Sequence, residues 1–357
     1  MEGRFVCMMK KYFKLYTNCI LVKGATNSII YDLFLPRYYT IPTNLVPYFY
    51  ELKLLPFDRV AAKKRRNAKQ IKNVCNELIG LGYAHWVEEE ALDLFNEADL
   101  KWDPSSTITY AVINSNDYNI INHTLNFLVE LSTPAILVRH NDEMLDLLDY
   151  LNEKLSASPI IQIEVMTSQL NAMITCKKIT KFRRLKTIWS EINVPQKFKD
   201  HPKVQHVCNR PYFKQGYPEY ELYSKSLQHH AYFNRRLYIG PKGEIKNALE
   251  CKETFGNILD LRKARELQSI IDQPAFQKYW NVPKELCDVC KDCEFRHMCI
   301  DNRLPSQRED GSWYYQQECA YNPYIAKWKG EKGYQSLKAS GIVVNEKGCY
   351  KKGKKQK

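Results

Sequence analysis

Long apolar runs are missing from this 357-residue chain, and no stretch approaches the length of a membrane span. The opening MEGRFVCMMKKYFKLYTNC has no uninterrupted apolar core of the kind a secretion signal carries. The expectation is a cytoplasmic protein with no membrane partner. No G-x4-G-K-[ST] phosphate loop and no G-x-G-x-x-G turn occurs, so the chain is not expected to hydrolyse ATP itself. No G-x-S-x-G elbow is present, which removes the serine-hydrolase reading. No internal repeat is found. Acidic residues are the scarcer charge: 40 Asp and Glu stand against 53 Lys and Arg, a formal net charge of +13. That excess implies an acidic partner without naming one. Part of it is the end KGCYKKGKKQK, expected to be a basic disordered tail over 346–357. Another part is KKRRNAKQIK at 63–72, read either as the polar face of a helix or as a nucleic-acid landing site. No aromatic residues interleave with those charges, which favours the helix face.

Cysteine, by contrast, is abundant, with 12 in the chain. Five fall at 287, 290, 293, 299 and 319, among charged and turn-forming residues. Without an export signal, reduced thiols for a metal are the better reading than a disulfide knot. Cys290-x2-Cys293-x5-Cys299 places three soft sulfurs on one tight loop, and Cys319 can return as a fourth. Thiolates select zinc or iron–sulfur, and spacing alone leaves both open.

The rest of the chain reads as α/β. Residues 11–41 suggest strands, with a turn at VKGATN and a β-branched run SIIYDLF at 28–34. A helix is expected to start at Thr43 or Asn44, which are good caps, and Pro56 closes it. A second helix carries Ile71, Val74, Cys75, Leu78 and Ile79 on one face, ends at Gly80 and Gly82, and YAHWV at 83–87 returns as a strand. Strands, two helices and a wing-like strand make a winged-helix-like module over 1–100. Such a module binds DNA through a helix, or an extended peptide at its sheet edge.

Over 101–200, ITYAVIN, AILVRH and IIQIEVM are continuous apolar runs separated by the helical segments INHTLNFLVEL and EMLDLLDYLNEKL. That alternation means βαβ units in a partial (β/α) barrel or open sheet. Residues 176–200 read as a basic helical stretch around FRRLKTIWSEI. From 201, RLYIG-PKG-EIKNAL is a β-hairpin, Cys251 and ETFGNILDL follow, and a helix over Lys263–Ile271 leads to the cysteines.

A hairpin, a cysteine, F-G-N-I, a helix, then C-x2-C-x5-C and a later cysteine resembles the SPASM domain. The strings CKDCEFRHMC, ECAYNPYIAKW and NCILVKGATNSIIYDLFLPRYYTIP are similar to the SPASM-domain protein of grasp-with-SPASM peptide maturation systems. The resemblance implies an N-terminal peptide-recognition module over 1–100 and a degenerate radical-SAM-like barrel part over 101–200. It also implies a SPASM iron–sulfur domain over 201–345. It assigns Cys290, Cys293, Cys299 and Cys319 to one four-iron four-sulfur cluster. Cys251 matches a ligand of a second cluster, for which Cys287, Cys208 or a histidine would be partners. Two departures weigh against that second site. Ile300-Asp301-Asn302-Arg303 holds no further cysteine, and His229-His230-Ala231-Tyr232 stands where a first cysteine belongs. Plain core packing is the alternative for Cys208, Cys251 and Cys287. Glu294, Arg296, Asp301 and Arg303 are expected to support the cluster through hydrogen bonds and an ion pair. The barrel region lacks C-x3-C-x2-C, so S-adenosylmethionine is not expected as a cofactor.

The implied function is that of a peptide-maturation component that binds a ribosomally made precursor and assists a partner ATP-grasp ligase. Two alternatives stand beside it: a redox enzyme acting on the peptide through its cluster, and a zinc-binding winged-helix protein that contacts nucleic acid.

Overall fold

The computed structural model describes residues 11–142, 144–170, 176–207 and 217–351. Cys208 and residues 352–357 lie outside the described residues.

The chain opens with β1 (Tyr12–Leu15), β2 (Cys19–Val22), β3 (Asn27–Asp32) and β4 (Arg37–Pro42), then α1 (Val46–Leu54), α2 (Phe57–Lys63), α3 (Ala68–Gly80) and β5 (Ala84–Val87). β2, β3 and β4 form an antiparallel meander, whereas β1 pairs with β5 in a separate antiparallel ribbon, Tyr12 opposite Val87. Helical spacing drives α3: Ile71, Cys75 and Leu78 are fully buried against Phe13, Ile30, Ile41, Leu45, Phe49 and Leu52. Gly82, at φ +74°, ends α3. Its N–H donates to the Ile79 carbonyl and Tyr83 N–H to that of Leu78, a paired closure that needs the left-handed backbone glycine allows. Three helices replace the expected two. Pro56 stands just before α2 and divides the helical region there. Nor does Thr43 cap α1. Its hydroxyl turns back to the Gly24 carbonyl at 3.0 Å and Ser28 Oγ at 2.8 Å, locking the β2–β3 turn.

The middle of the chain builds β6 (Tyr110–Asn114), α4 (Tyr118–Glu130), β7 (Ala135–Arg139), α5 (Met144–Lys154), β8 (Gln162–Thr167), α6 (Cys176–Lys181), β9 (Leu185–Ser190) and β10 (Val204–His206). After α7 (Tyr220–Ser226) come β11 (Arg236–Ile239) and β12 (Ile245–Lys246). These strands make one seven-stranded sheet in the order β10-β9-β8-β7-β6-β11-β12, parallel except for β12. The continuous apolar runs are explained by burial on both faces. Ile113, Ile136, Val138, Ile163, Val165 and Ile188 pack with α4 and α5, while Val112, Leu137, Met166, Trp189 and Tyr238 line the other face.

Two expectations are corrected here. Residues 176–200 are not one helix: Cys176–Lys181 is α-helical, Leu185–Ser190 is strand β9, and Gln196–Phe198 is a single 3-10 turn. Thr187, Ile188 and Trp189 suit a pleated, buried position, and Arg184 before them serves the turn, where its Nη1 donates to the carbonyls of Ser158 (2.8 Å) and Ile160 (2.9 Å). The boundary at 201 also falls inside the sheet, since β10, β11 and β12 extend it.

Beyond the sheet come α8 (Ala264–Ile271), the cysteine-rich loops, and three hairpins: β13 (Ser306–Gln307) with β14 (Trp313–Tyr314), β15 (Tyr321–Asn322) with β16 (Lys327–Trp328), and β17 (Ile342–Asn345) with β18 (Gly348–Lys351). The last corrects the expected tail: Gly348–Lys351 pairs with Ile342–Asn345 as a hairpin, because Ile342, Val343 and Val344 give it an apolar partner strand. Among the described residues no helix is long and apolar enough to cross a membrane.

Candidate metal centre

The loop from Cys287 to Cys299 is wound by short-range hydrogen bonds. Lys291 N–H donates to the Cys287 carbonyl, Cys293 N–H to Cys290, Arg296 N–H to Cys293 and Met298 N–H to Phe295. Val289, just before Cys290, sits at φ +68° and ψ −48°, a backbone region that a β-branched residue rarely adopts. Strain of this kind persists only where the surroundings over-determine it, and it clusters at functional sites.

Cys290, Cys293, Cys299 and Cys319 are all free thiols of intermediate exposure. Each feels the charge of others in the set: Cys290 that of Cys319, Cys293 that of Cys290 and Cys299, and Cys299 that of Cys290 and Cys319. The four therefore lie within range of one another's charge, across a span that includes a hairpin. Burial raises the Cys290 thiol and pushes Cys299 up to about 12, with Lys284 opposing in both cases. Cys293 is raised well above the usual range, first by burial and then by Glu294. Thiols so placed carry protons unless a cation replaces them.

Lys284 is the dominant cation. It is 3% exposed and donates to Asp301 Oδ2 at 2.6 Å and to Tyr315 Oη at 2.7 Å. Asp301 also accepts from Arg303 Nε (3.0 Å) and Nη2 (2.6 Å). Burial alone would raise the Asp301 carboxyl; Lys284 and Arg303 overcome that and hold it well below the usual carboxylate range. Arg303 Nη1 reaches the Gln317 carbonyl at 2.5 Å, tying the segment after Cys299 to the one before Cys319. The Tyr321 N–H points at Cys319 Sγ at 3.4 Å.

Glu294 and Arg296 join this loop to the N-terminal sheet. The Tyr31 hydroxyl donates to the Glu294 carbonyl at 2.5 Å, and Ala25 N–H to the Asp292 carbonyl at 2.8 Å. Arg296 Nη1 donates to the carbonyls of Lys23 (2.7 Å) and Cys293 (3.0 Å). Its ion pair is with Glu285 at 3.3 Å rather than with Glu294. Glu294 itself is buried. Its Oε1 accepts from Tyr321 Oη at 2.5 Å, its Oε2 has no partner among the described residues, and burial raises its carboxyl.

The other expected residues pack differently. Cys251 sits with Tyr232, Phe233 and Ala248 in an apolar group of its own, whereas Cys287 packs with Val282, Tyr315 and Trp313 beside Cys290. His230 is fully buried: Tyr232 N–H donates to its Nδ1 at 3.2 Å and its Nε2 meets Tyr315 Oη at 3.1 Å. His229 pairs with Asn281 at 2.8 Å. Among the described residues no group of three or more His, Cys, Asp or Glu converges to hold a single metal ion. Sequence reasoning missed Lys284, Tyr315, Tyr31 and Gly24. Only Gly24 left a signal, as the turn residue of VKGATN.

The cysteine set is compatible with an iron–sulfur group. Four free thiols lie within range of one another's charge, the buried Lys284 and the half-buried Arg303 offset anionic charge, and a backbone N–H is directed at one sulfur. When bound, an iron–sulfur cluster would supply electron transfer or a rigid crosslink between the two cysteine segments.

No family model matches the chain, and no curated protein matches it. Among solved structures it is similar to selenomethionine BtrN in an open conformation, at 12% identity and TM-score 0.34, over 53% of this chain and 94% of that one. That likeness is too loose to carry an argument about function.

Proposed function

We propose that this protein is a peptide-maturation component that holds one four-iron four-sulfur cluster on Cys290, Cys293, Cys299 and Cys319. It binds a ribosomally made precursor peptide through its N-terminal module and assists a partner ATP-grasp ligase. One observation carries the reading: the N-terminal sheet docks directly on the cysteine loop, through Ala25, Tyr31 and Lys23 onto Asp292, Glu294 and Arg296. A peptide held by that sheet would sense whether the loop is ordered, and the loop is ordered by what its thiols bind.

In this reading Lys284 and Arg303 stabilise the anionic thiolate set, Arg296 fixes the Cys293 carbonyl, and Tyr321 orients Cys319. Cys251 and Cys287 are core residues. The C-x3-C-x2-C motif is absent from the sequence, so no step through S-adenosylmethionine is assigned.

The test is to incubate ligase and precursor with and without this protein, following the product pattern by mass and the peptide affinity by titration. The reading predicts that the protein tightens peptide binding or changes the number of linkages. An unchanged product and an unchanged affinity would contradict it. A peptide mass change needing this protein and a reductant, but no ligase, would favour the redox alternative.

A further inference from the structure

Between β1, β2, α1 and the segment Phe95–Leu100 lies a cleft of about 360 Å³. Phe13, Leu15, Leu21 and Phe49 make it apolar, and Lys14 and Lys53 stand beside it. The chain's own segment Phe95–Leu100 forms one wall of this cleft, with no helix or strand of its own. Phe95 stacks on Tyr16 at 6.4 Å between ring centres. The Asn96 carbonyl accepts from Thr17 Oγ1 at 2.9 Å, and Glu97 pairs with Lys53 at 2.5 Å.

Every one of these contacts uses a side chain, and the polar ones are exposed. Among the described residues no backbone hydrogen bond joins 95–100 to β1 or β2. An exposed ion pair contributes little. Yet β2 ends its sheet, so one of its edges offers backbone donors and acceptors to a further strand. The segment therefore has the composition of a ligand for this cleft without the main-chain bonds a ligand could make. At its far end Leu100 packs with Val22, Ile29 and Tyr31 beside Met298 of the cysteine loop, so its position is linked to that loop.

We propose that the cleft binds an extended, acidic peptide segment with one aromatic anchor, and that Phe95–Leu100 is an internal stand-in which such a segment displaces. The aromatic ring takes the place of Phe95 over Tyr16, a carboxylate two residues on meets Lys53, and the incoming backbone adds to the edge of β2. The proposal rests on the reading that the N-terminal module recognises the precursor, and it names the chemistry of the segment recognised.

The experiment uses the full chain with Phe95–Leu100 replaced by a glycine–serine linker of equal length. The probe is a synthetic peptide with the sequence of residues 92–101. The probe is expected to bind the replaced chain, and to bind the intact chain roughly tenfold more weakly if the strap closes the site about nine-tenths of the time. Lys53→Glu in the replaced chain should weaken the probe roughly two- to fivefold, and a probe carrying lysine in place of its glutamate should recover the loss. Equal binding to both chains, or no recovery on charge exchange, overturns the proposal. Should the replaced chain fail to fold, Glu97→Lys in the full chain loosens the strap without altering its length. Tighter probe binding then supports the site, and unchanged binding overturns it. A precursor that binds the intact chain without competing with the probe overturns this site and leaves peptide recognition standing. Probe binding without any precursor binding overturns recognition instead.

Discussion

Burying the Lys284 ammonium would cost several kcal/mol if Asp301 and Tyr315 did not receive it. Removing one member of such a set leaves the others uncompensated. Lys284→Met should therefore destabilise the fold by about 3–5 kcal/mol, read from urea unfolding of the purified protein. Arg303 keeps Asp301 partly satisfied, so the loss should fall at the lower end of that range. A stability change within error would show that the buried pair has no such role.

His230, packed against the same group, gives a pH dependence. Burial first, and then the neighbouring Lys284, lower its imidazole well below the ordinary value. Below pH about 6.5 the unfolded chain binds a proton that the folded chain refuses, so stability falls as pH drops through and below that value. Replacing His230 by Gln should flatten this slope in unfolding midpoints measured from pH 7 to pH 5; an unchanged slope would assign it to other groups. Asp301 and Arg303 stand out in the sequence because they follow Cys299 closely, and the structure pairs them with each other. Lys284 was not, since a lysine in PKELC reads as solvated, and its burial depends on Tyr315, 31 residues further on.

At the scale of elements, the β2–β3 turn is the joint between the two ends of the chain. A Cβ on Gly24 would lie 2.3 Å from the Asn27 carbonyl oxygen and 2.9 Å from the Glu294 backbone nitrogen. Both atoms belong to the backbone and cannot step aside. Gly24→Ala should thus lift the turn off the cysteine loop, lowering stability by about 1–3 kcal/mol and reducing the metal content of the isolated protein. Tyr31→Phe is the milder counterpart. It leaves the buried Glu294 carbonyl without its hydroxyl donor and should cost about 1–3 kcal/mol with the turn still seated. Equal metal content in wild type and Gly24→Ala would separate the turn from the centre.

Elements with one dominant period were legible: α3, α4, α5 and the runs that became β6, β7 and β8. β9 was hidden because Arg183 and Arg184 lent a helical, basic look to a stretch whose Ile188 and Trp189 complete a sheet. The contact between Gly24 and Glu294 had no sequence signal, because nothing local ties a turn at one end to a loop about 270 residues away.

For the whole molecule, the account joins three parts: a small N-terminal sheet with helices, a seven-stranded α/β sheet, and a cysteine-rich end that folds back onto the first. Loops this short, with few apolar anchors of their own, gain order from whatever the thiols bind. The measurement that bears most directly on this is anaerobic purification with iron, acid-labile sulfide and zinc quantified, together with an EPR spectrum of the reduced protein. The account predicts about four irons and about four sulfides per chain, lost in Cys290→Ser and Cys319→Ser and retained in Cys251→Ser and Cys287→Ser. About eight irons, or loss of iron in Cys251→Ser, would contradict the assignment of one cluster. Zinc without sulfide would contradict the cluster altogether.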